Sequence, residues 1–192
     1  MKKKLSLCIR AFFSLIHIAF VKLFNIKGFH SAISQDLALT TKLHPHDGGK
    51  ITLSKHIHAH RNVVFEAEGG EIEIGEGCFF NNGCMVVSHE SIKIGEYTCF
   101  GPNVLIYDHD HRIDADTPFH DSGYKTAPIV IGKNVWIGGN SVILRGTVIG
   151  DNCVIGAGSV VKGNYSDGSI VIQKRSEEVK RLRTEDDKAA VL

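Results

Sequence analysis

A chain of 192 residues, 43% hydrophobic and 22% charged, has the balance of an ordinary globular domain. Its 22 Lys and Arg against 21 Asp and Glu leave a formal charge of +1, which gives no overall pull toward nucleic acid. Twenty Gly against four Pro call for many tight turns rather than a disordered linker, and five Cys without a CxxC pair support neither a disulfide framework nor a zinc ribbon and fit a reducing compartment.

The first 35 residues hold six basic side chains (Lys2, Lys3, Lys4, Arg10, Lys22, Lys27) and no acidic one, around the apolar stretch LSLCIRAFFSLIHIAFVKLF. Arg10, His17 and Lys22 break that stretch into pieces well short of the roughly 20 residues a bilayer span needs, and no small-residue cleavage site follows it. Residues 1–30 therefore read as an amphipathic helical segment. Arg10, Ser14, His17 and Asn25 fall near one narrow stripe, with Phe12, Phe13, Leu15, Ile16, Ile18, Phe20, Leu23 and Phe24 around the rest. Two placements stay open: in the headgroup region of an anionic membrane, which makes a cytoplasmic protein peripheral at the inner face, or packed on its own domain or a neighbouring subunit.

The body of the chain is a repeat. From Ile131 the sequence divides into sixes, IGKNVW, IGGNSV, ILRGTV, IGDNCV, IGAGSV and VKGNYS, and the same frame occurs as IGEGCF, FNNGCM from Ile74 and IGEYTC, FGPNVL from Ile94. It is weaker from Ile51, Ile57 and Val63. An α-helix cannot use a period of six, since residues six apart are rotated by roughly 240° around its axis. Short strands and turns at fixed spacing can, provided each strand stacks on its equivalent in the next coil. The second position of these hexads is mostly Gly, and the fifth is small or modest, which makes Cys78, Cys84 and Cys153 core-lining residues.

One excursion, residues 107–130, interrupts the repeat with YDHDHRIDADTPFHDSGYKTAP, rich in His and Asp. A long break in a regular solenoid is usually functional or disordered. His109, His111 and His120 carry the side-chain type whose unperturbed pKa lies near neutrality and are general-base candidates, with His89 on the preceding coil a fourth; His120 reads better as a surface histidine. In an extended strand Asp108 and Asp110 point one way and His109 and His111 the other, so either carboxylate can orient an imidazole while both histidines share a face. Residues 173–192, containing SEEVKRLRTEDDK, read as a short charged helix and frayed tail.

Over roughly residues 50–172 the hexads resemble the left-handed parallel β-helix of the hexapeptide-repeat acyltransferases, in which three hexads make one triangular coil. The string IGKNVWIGGNSVILRGTVIGDNCVIGAGSVV is similar to the closing coils of maltose, galactoside, xenobiotic and polysaccharide O-acetyltransferases. FGPNVLIYDHDH matches the coil APGVxIYTxTH that carries the family's catalytic histidine, and the following RID resembles its continuation; the match falls on His111, with His109 two residues early. The fold so implied is an all-β left-handed helix with an N-terminal helix, a protruding loop and a short C-terminal helix.

The resemblance implies an acetyltransferase that moves an acetyl group from acetyl-CoA to a sugar hydroxyl on a glycan or lipid-linked glycan precursor, by direct attack with a histidine base. It assigns the oxyanion donor to the Gly139 N–H and places Trp136 beside the histidine and the pantetheine arm. Ala157 and Gly158 would line the CoA groove, and Lys162 would lie near its phosphates. Asn81 of FFNNGC falls at an acceptor-binding Asn; Ser88 and His89 stand where relatives often carry a carboxylate, and His89 and Asp108 are the other acceptor-side candidates. The closing SIVIQKRSEEVKRL departs from the family's SIVAGNPAKVI, although Lys174 and Arg175 could meet phosphate. The family also implies a homotrimer with active sites between subunits and no metal. Two rivals remain: a metal hydratase similar to γ-class carbonic anhydrases, which the cluster of histidines keeps open, and a non-catalytic solenoid.

Overall fold

A computed structural model describes residues 2–113, 117–118 and 121–174, with side chains from residue 11 onward. The chain winds into a three-sided parallel solenoid. One coil serves as the pattern: Ser91–Ile94 lies in the first sheet, Cys99–Phe100 in the second and Leu105–Tyr107 in the third. Stacked coils give sheets of seven, seven and six strands, that is, six full coils and two strands of a seventh. Parallel register aligns the inward residues in columns, such as Ile72, Ile92 and Ile129, or Phe80, Phe100 and Ile137. These are 0–1% exposed and fill the prism as one continuous core, with the Phe80 and Phe100 rings stacked at 4.5 Å.

Each hexad position has a physical reason. The first supplies the buried aliphatic or aromatic residue. At the second, a side chain would strike the coil stacked on it: a Cβ on Gly101 would lie 2.4 Å from the Gly139 nitrogen, and one on Gly138 2.5 Å from the Ala157 nitrogen. The fourth turns with positive φ, met by Asn103, Asn134, Asn140 and Asn152 as well as by Gly. The fifth is buried and polar more often than apolar, because its hydroxyl or thiol reaches a carbonyl of the next coil. Cys78 and Cys84 donate to Gly95 and Gly101 at 3.1 Å, Thr98 to Gly132 at 2.9 Å and Ser141 to Gly156 at 3.1 Å. Burial pushes the Cys78 thiol up to about 12 and that of Cys84 to about 11, so both stay protonated and unreactive.

Two sequence readings shift. The coils begin at Phe29 rather than near residue 50, since Phe29–Ser31 already pairs with Ile51–Leu53. Ser31, Leu37 and Leu43 keep the sixfold spacing, but a polar Ser31 and the absence of Gly hide it. In the second coil the first positions are Leu53, Ala59 and Phe65, which pair with Ile74, Phe80 and Val86; Ile51, Ile57 and Val63 lie two residues out of phase with them. First and fifth positions both face inward, so either column alone shows a period of six. Before the solenoid, a helix over Lys2–Phe24 packs Ser14, Ile18 and Val21 on the first coil, and the Ser14 hydroxyl accepts the Leu37 N–H at 3.2 Å. The expected C-terminal helix lies outside the described residues.

Candidate active site

The excursion leaves the end of Leu105–Tyr107 and folds back on itself. His109–His111 pairs antiparallel with Tyr124–Thr126, in the register His109 with Thr126, Asp110 with Lys125 and His111 with Tyr124. Alternation then sorts the side chains onto two faces. On one, the His109 and His111 rings both contact Tyr124, at 5.1 and 4.8 Å, and His89 of the coil beneath lies 4.0 Å from His109 and 4.1 Å from Tyr124. On the other, Asp110 pairs with Arg145, and both line a cleft with His111, Arg112, Ile113 and Lys125. The two histidines share a face and Asp110 takes the opposite one, as the alternation requires.

Asp108 does not stay with Asp110. It is fully buried, accepting the Ser88 hydroxyl at 2.7 Å and the His89 and Glu90 N–H groups at 2.8 and 2.9 Å. Its Oδ1 also lies 3.4 Å from His109 Nδ1, and its carbonyl accepts the Ala127 N–H at the base of the hairpin. Expected on the acceptor side, it instead anchors the hairpin: three donors at the coil corner need an acceptor, and Asp108 supplies it from the next coil. His89, expected with it, is enclosed by Glu68, His109 and Tyr124, and burial followed by the nearby His109 lowers its pKa, so it is neutral at pH 7. The His109 side chain is 13% exposed, whereas His111 lies open at the outer end of the face. Among the described residues of one chain, no three His, Cys, Asp or Glu side chains are placed to hold one metal ion.

The remaining expected residues gather elsewhere. Asn81, Trp136, Gly139, Ala157 and Gly158 lie on the second sheet or in the turns leading to the third, while the histidines leave the far end of that third sheet. Within one chain the two groups are thus separated by the width of a prism face. Trp136 stands between Cys99 and Val154 with its ring turned out, 59% exposed. Asn81 spends its side-chain oxygen on the Asn82 N–H at 2.8 Å. The third hexad position explains Gly139. Lys133 and Asp151, at equivalent sites, give their N–H groups to the carboxylates of Asp151 and Asp167 in the coil stacked on each, at 2.7 and 2.9 Å. Above Gly139 stands Ala157, which has no side-chain acceptor, and among the described residues the Gly139 N–H has no partner. Lys162 is exposed at the hairpin end of the third sheet, and Lys174 is exposed beyond the last strand. Arg175 and His120 lie outside the described residues.

Tyr124, Lys125 and Arg145 are the site residues that the sequence reading missed. The signal was the short run YKT: a second extended segment in the loop, placed to return against HDH.

Residues 128–163 match the family model for the bacterial transferase hexapeptide, six repeats. That segment carries the repeats of the hexapeptide-repeat family. It is 30% identical over 132 residues to a probable acetyltransferase of Mycobacterium tuberculosis, covering 68% of this chain and 44% of that protein. It is 38% identical over 86 residues to the galactoside O-acetyltransferase of Escherichia coli, covering 45% and 42%. The chain therefore spans less than half the length of these relatives. A hexapeptide-repeat containing acetyltransferase from Vibrio cholerae shares the fold, with a TM-score of 0.56 at 24% identity over 85% of this chain and 80% of that one.

Proposed function

We propose that this protein transfers an acetyl group from acetyl-CoA to a hydroxyl of a sugar, on a glycan or glycan precursor. The observation that carries the reading is the anchored hairpin, which breaks the repeat and holds an open imidazole, His111, on a rigid base of His109, Tyr124 and buried Asp108. His111 is the base because it is the more open of the two histidines and the one the family's coil motif falls on. It takes the acceptor's hydroxyl proton as the oxygen attacks the thioester carbonyl, and returns that proton to the departing CoA sulfur. The Gly139 N–H, without a partner among the described residues because Ala157 stands above it, is a fixed donor for the oxyanion. His111 and Gly139 sit at opposite edges of one sheet, so a homotrimer that sets one chain's hairpin against the next chain's Gly139 and Trp136 completes the site. Ala157, Gly158 and Lys162 line the acetyl-CoA groove, and the likeness to a galactoside O-acetyltransferase supports a sugar acceptor.

The test is a screen of CoA thiol release from acetyl-CoA against nucleotide sugars and cell-envelope glycans, with bound metal and CO2 hydration measured on the same preparation. Acceptor-dependent thiol release supports the reading. CO2 hydration with stoichiometric metal and no transfer refutes it.

A further inference from the structure

The N-terminal helix is packed with its polar stripe inward. Fully buried Ser14 bonds the first coil, half-buried His17 is kept neutral by burial, and Ile18 and Val21 complete the contact. The opposite face is apolar and exposed: Phe12, Leu15, Ile16, Phe20, Leu23 and Phe24 are 48–69% accessible along nearly four turns. An ordinary surface helix has the reverse arrangement. The apolar surface runs on to the body, where Phe13 and exposed Leu39 line one shallow pocket. Contiguous apolar surface of this kind marks an interaction site.

Charge selects the occupant. Residues 1–35 carry six Lys and Arg and no Asp or Glu, on a chain whose formal charge is only +1. Bringing two such helices together through their apolar faces would crowd like charges, whereas an anionic surface is complementary to them. No helix of the described residues is long and apolar enough to cross a membrane. We propose that this helix docks the protein on an anionic lipid surface, lying in the interface plane with Phe12, Ile16, Phe20 and Phe24 among the acyl chains and the Lys cluster at the headgroups.

The experiment is co-sedimentation of the full chain with phosphatidylglycerol and with phosphatidylcholine vesicles. Two variants are run beside it: Phe12→Asp/Ile16→Asp/Phe20→Asp, at exposed positions, and Lys2→Glu/Lys3→Glu/Lys4→Glu, which keeps the packing residues Ser14, Ile18 and Val21. The full chain is expected on the anionic vesicles only, released as salt rises to about 0.5 M. The Lys variant should bind more weakly by at least roughly 100-fold, at about fivefold per basic side chain lost and more for the three charges reversed. The Asp variant should remain in the supernatant with unchanged oligomeric mass. A full chain that ignores anionic vesicles overturns the proposal, and so does an Asp variant whose oligomer falls apart, which would make the face a contact between copies. Vesicle binding is read without acetyl transfer, so its failure leaves the enzymatic reading separate.

Discussion

Asp108→Asn isolates the anchor from the chemistry. The substitution keeps the shape but turns one of two acceptor oxygens into a donor. If the Asn oxygen stays with the His89 N–H, the new amide faces Ser88 Oγ and the Glu90 N–H, which now donate to Asp108 at 2.7 and 2.9 Å. The Ser88 hydroxyl can turn to accept; the Glu90 N–H cannot. One charge-assisted bond is lost and a second weakened in a fully buried place, a cost of about 2–3 kcal/mol. In a urea titration at fixed protein concentration this should lower the midpoint by about 1 M, taking a slope of roughly 2 kcal/mol per molar. Turnover should fall with the loosened hairpin. An unchanged midpoint together with a loss of turnover above about 100-fold, a size expected of a group acting in the chemistry, would refute the anchor.

Other outcomes follow from the same contacts. Gly101→Ala places a Cβ 2.4 Å from the Gly139 nitrogen, so it should cost about 1–3 kcal/mol and lower transfer more than Gly95→Ala, whose clash lies at Gly132. Stability should fall as pH drops below about 6.5, because burial lowers the folded pKa of His89 and His17 and the unfolded chain takes up those protons first; thermal melting at pH 7.5 and 5.5 reads this, and His89→Gln should flatten it. Light scattering should return a mass three times that of the 21.0 kDa chain, and a stable monomer at micromolar concentration would leave His111 and Gly139 in separate places.

The period of six was legible because a solenoid imposes the same burial on every coil, so the pattern needs no knowledge of partners. The phase of the second coil was not: Ile51 and Leu53 are both buried, and the sequence alone does not say which column starts the hexad. The first coil escaped notice for want of one aliphatic residue at Ser31. At the site, the alternation of DHDH correctly put both imidazoles on one face. It misplaced Asp108, because a strand rule ends where the strand does: Asp108 precedes the hairpin and is drawn inward by three donors of another coil. For Tyr124 the short run YKT was the one signal, and its partners are set by the return of the loop.

Single-turnover transfer at saturating acetyl-CoA, comparing the unmodified chain with His111→Ala and His109→Ala, tests the central claim most directly. His111→Ala should lose about 10²- to 10⁴-fold in rate with acetyl-CoA affinity nearly unchanged, because the proton moves only as the acceptor attacks, and His109→Ala should lose less. An inactive His109→Ala beside a near-normal His111→Ala would contradict the assignment and move the base two residues inward, to the imidazole that Asp108 contacts.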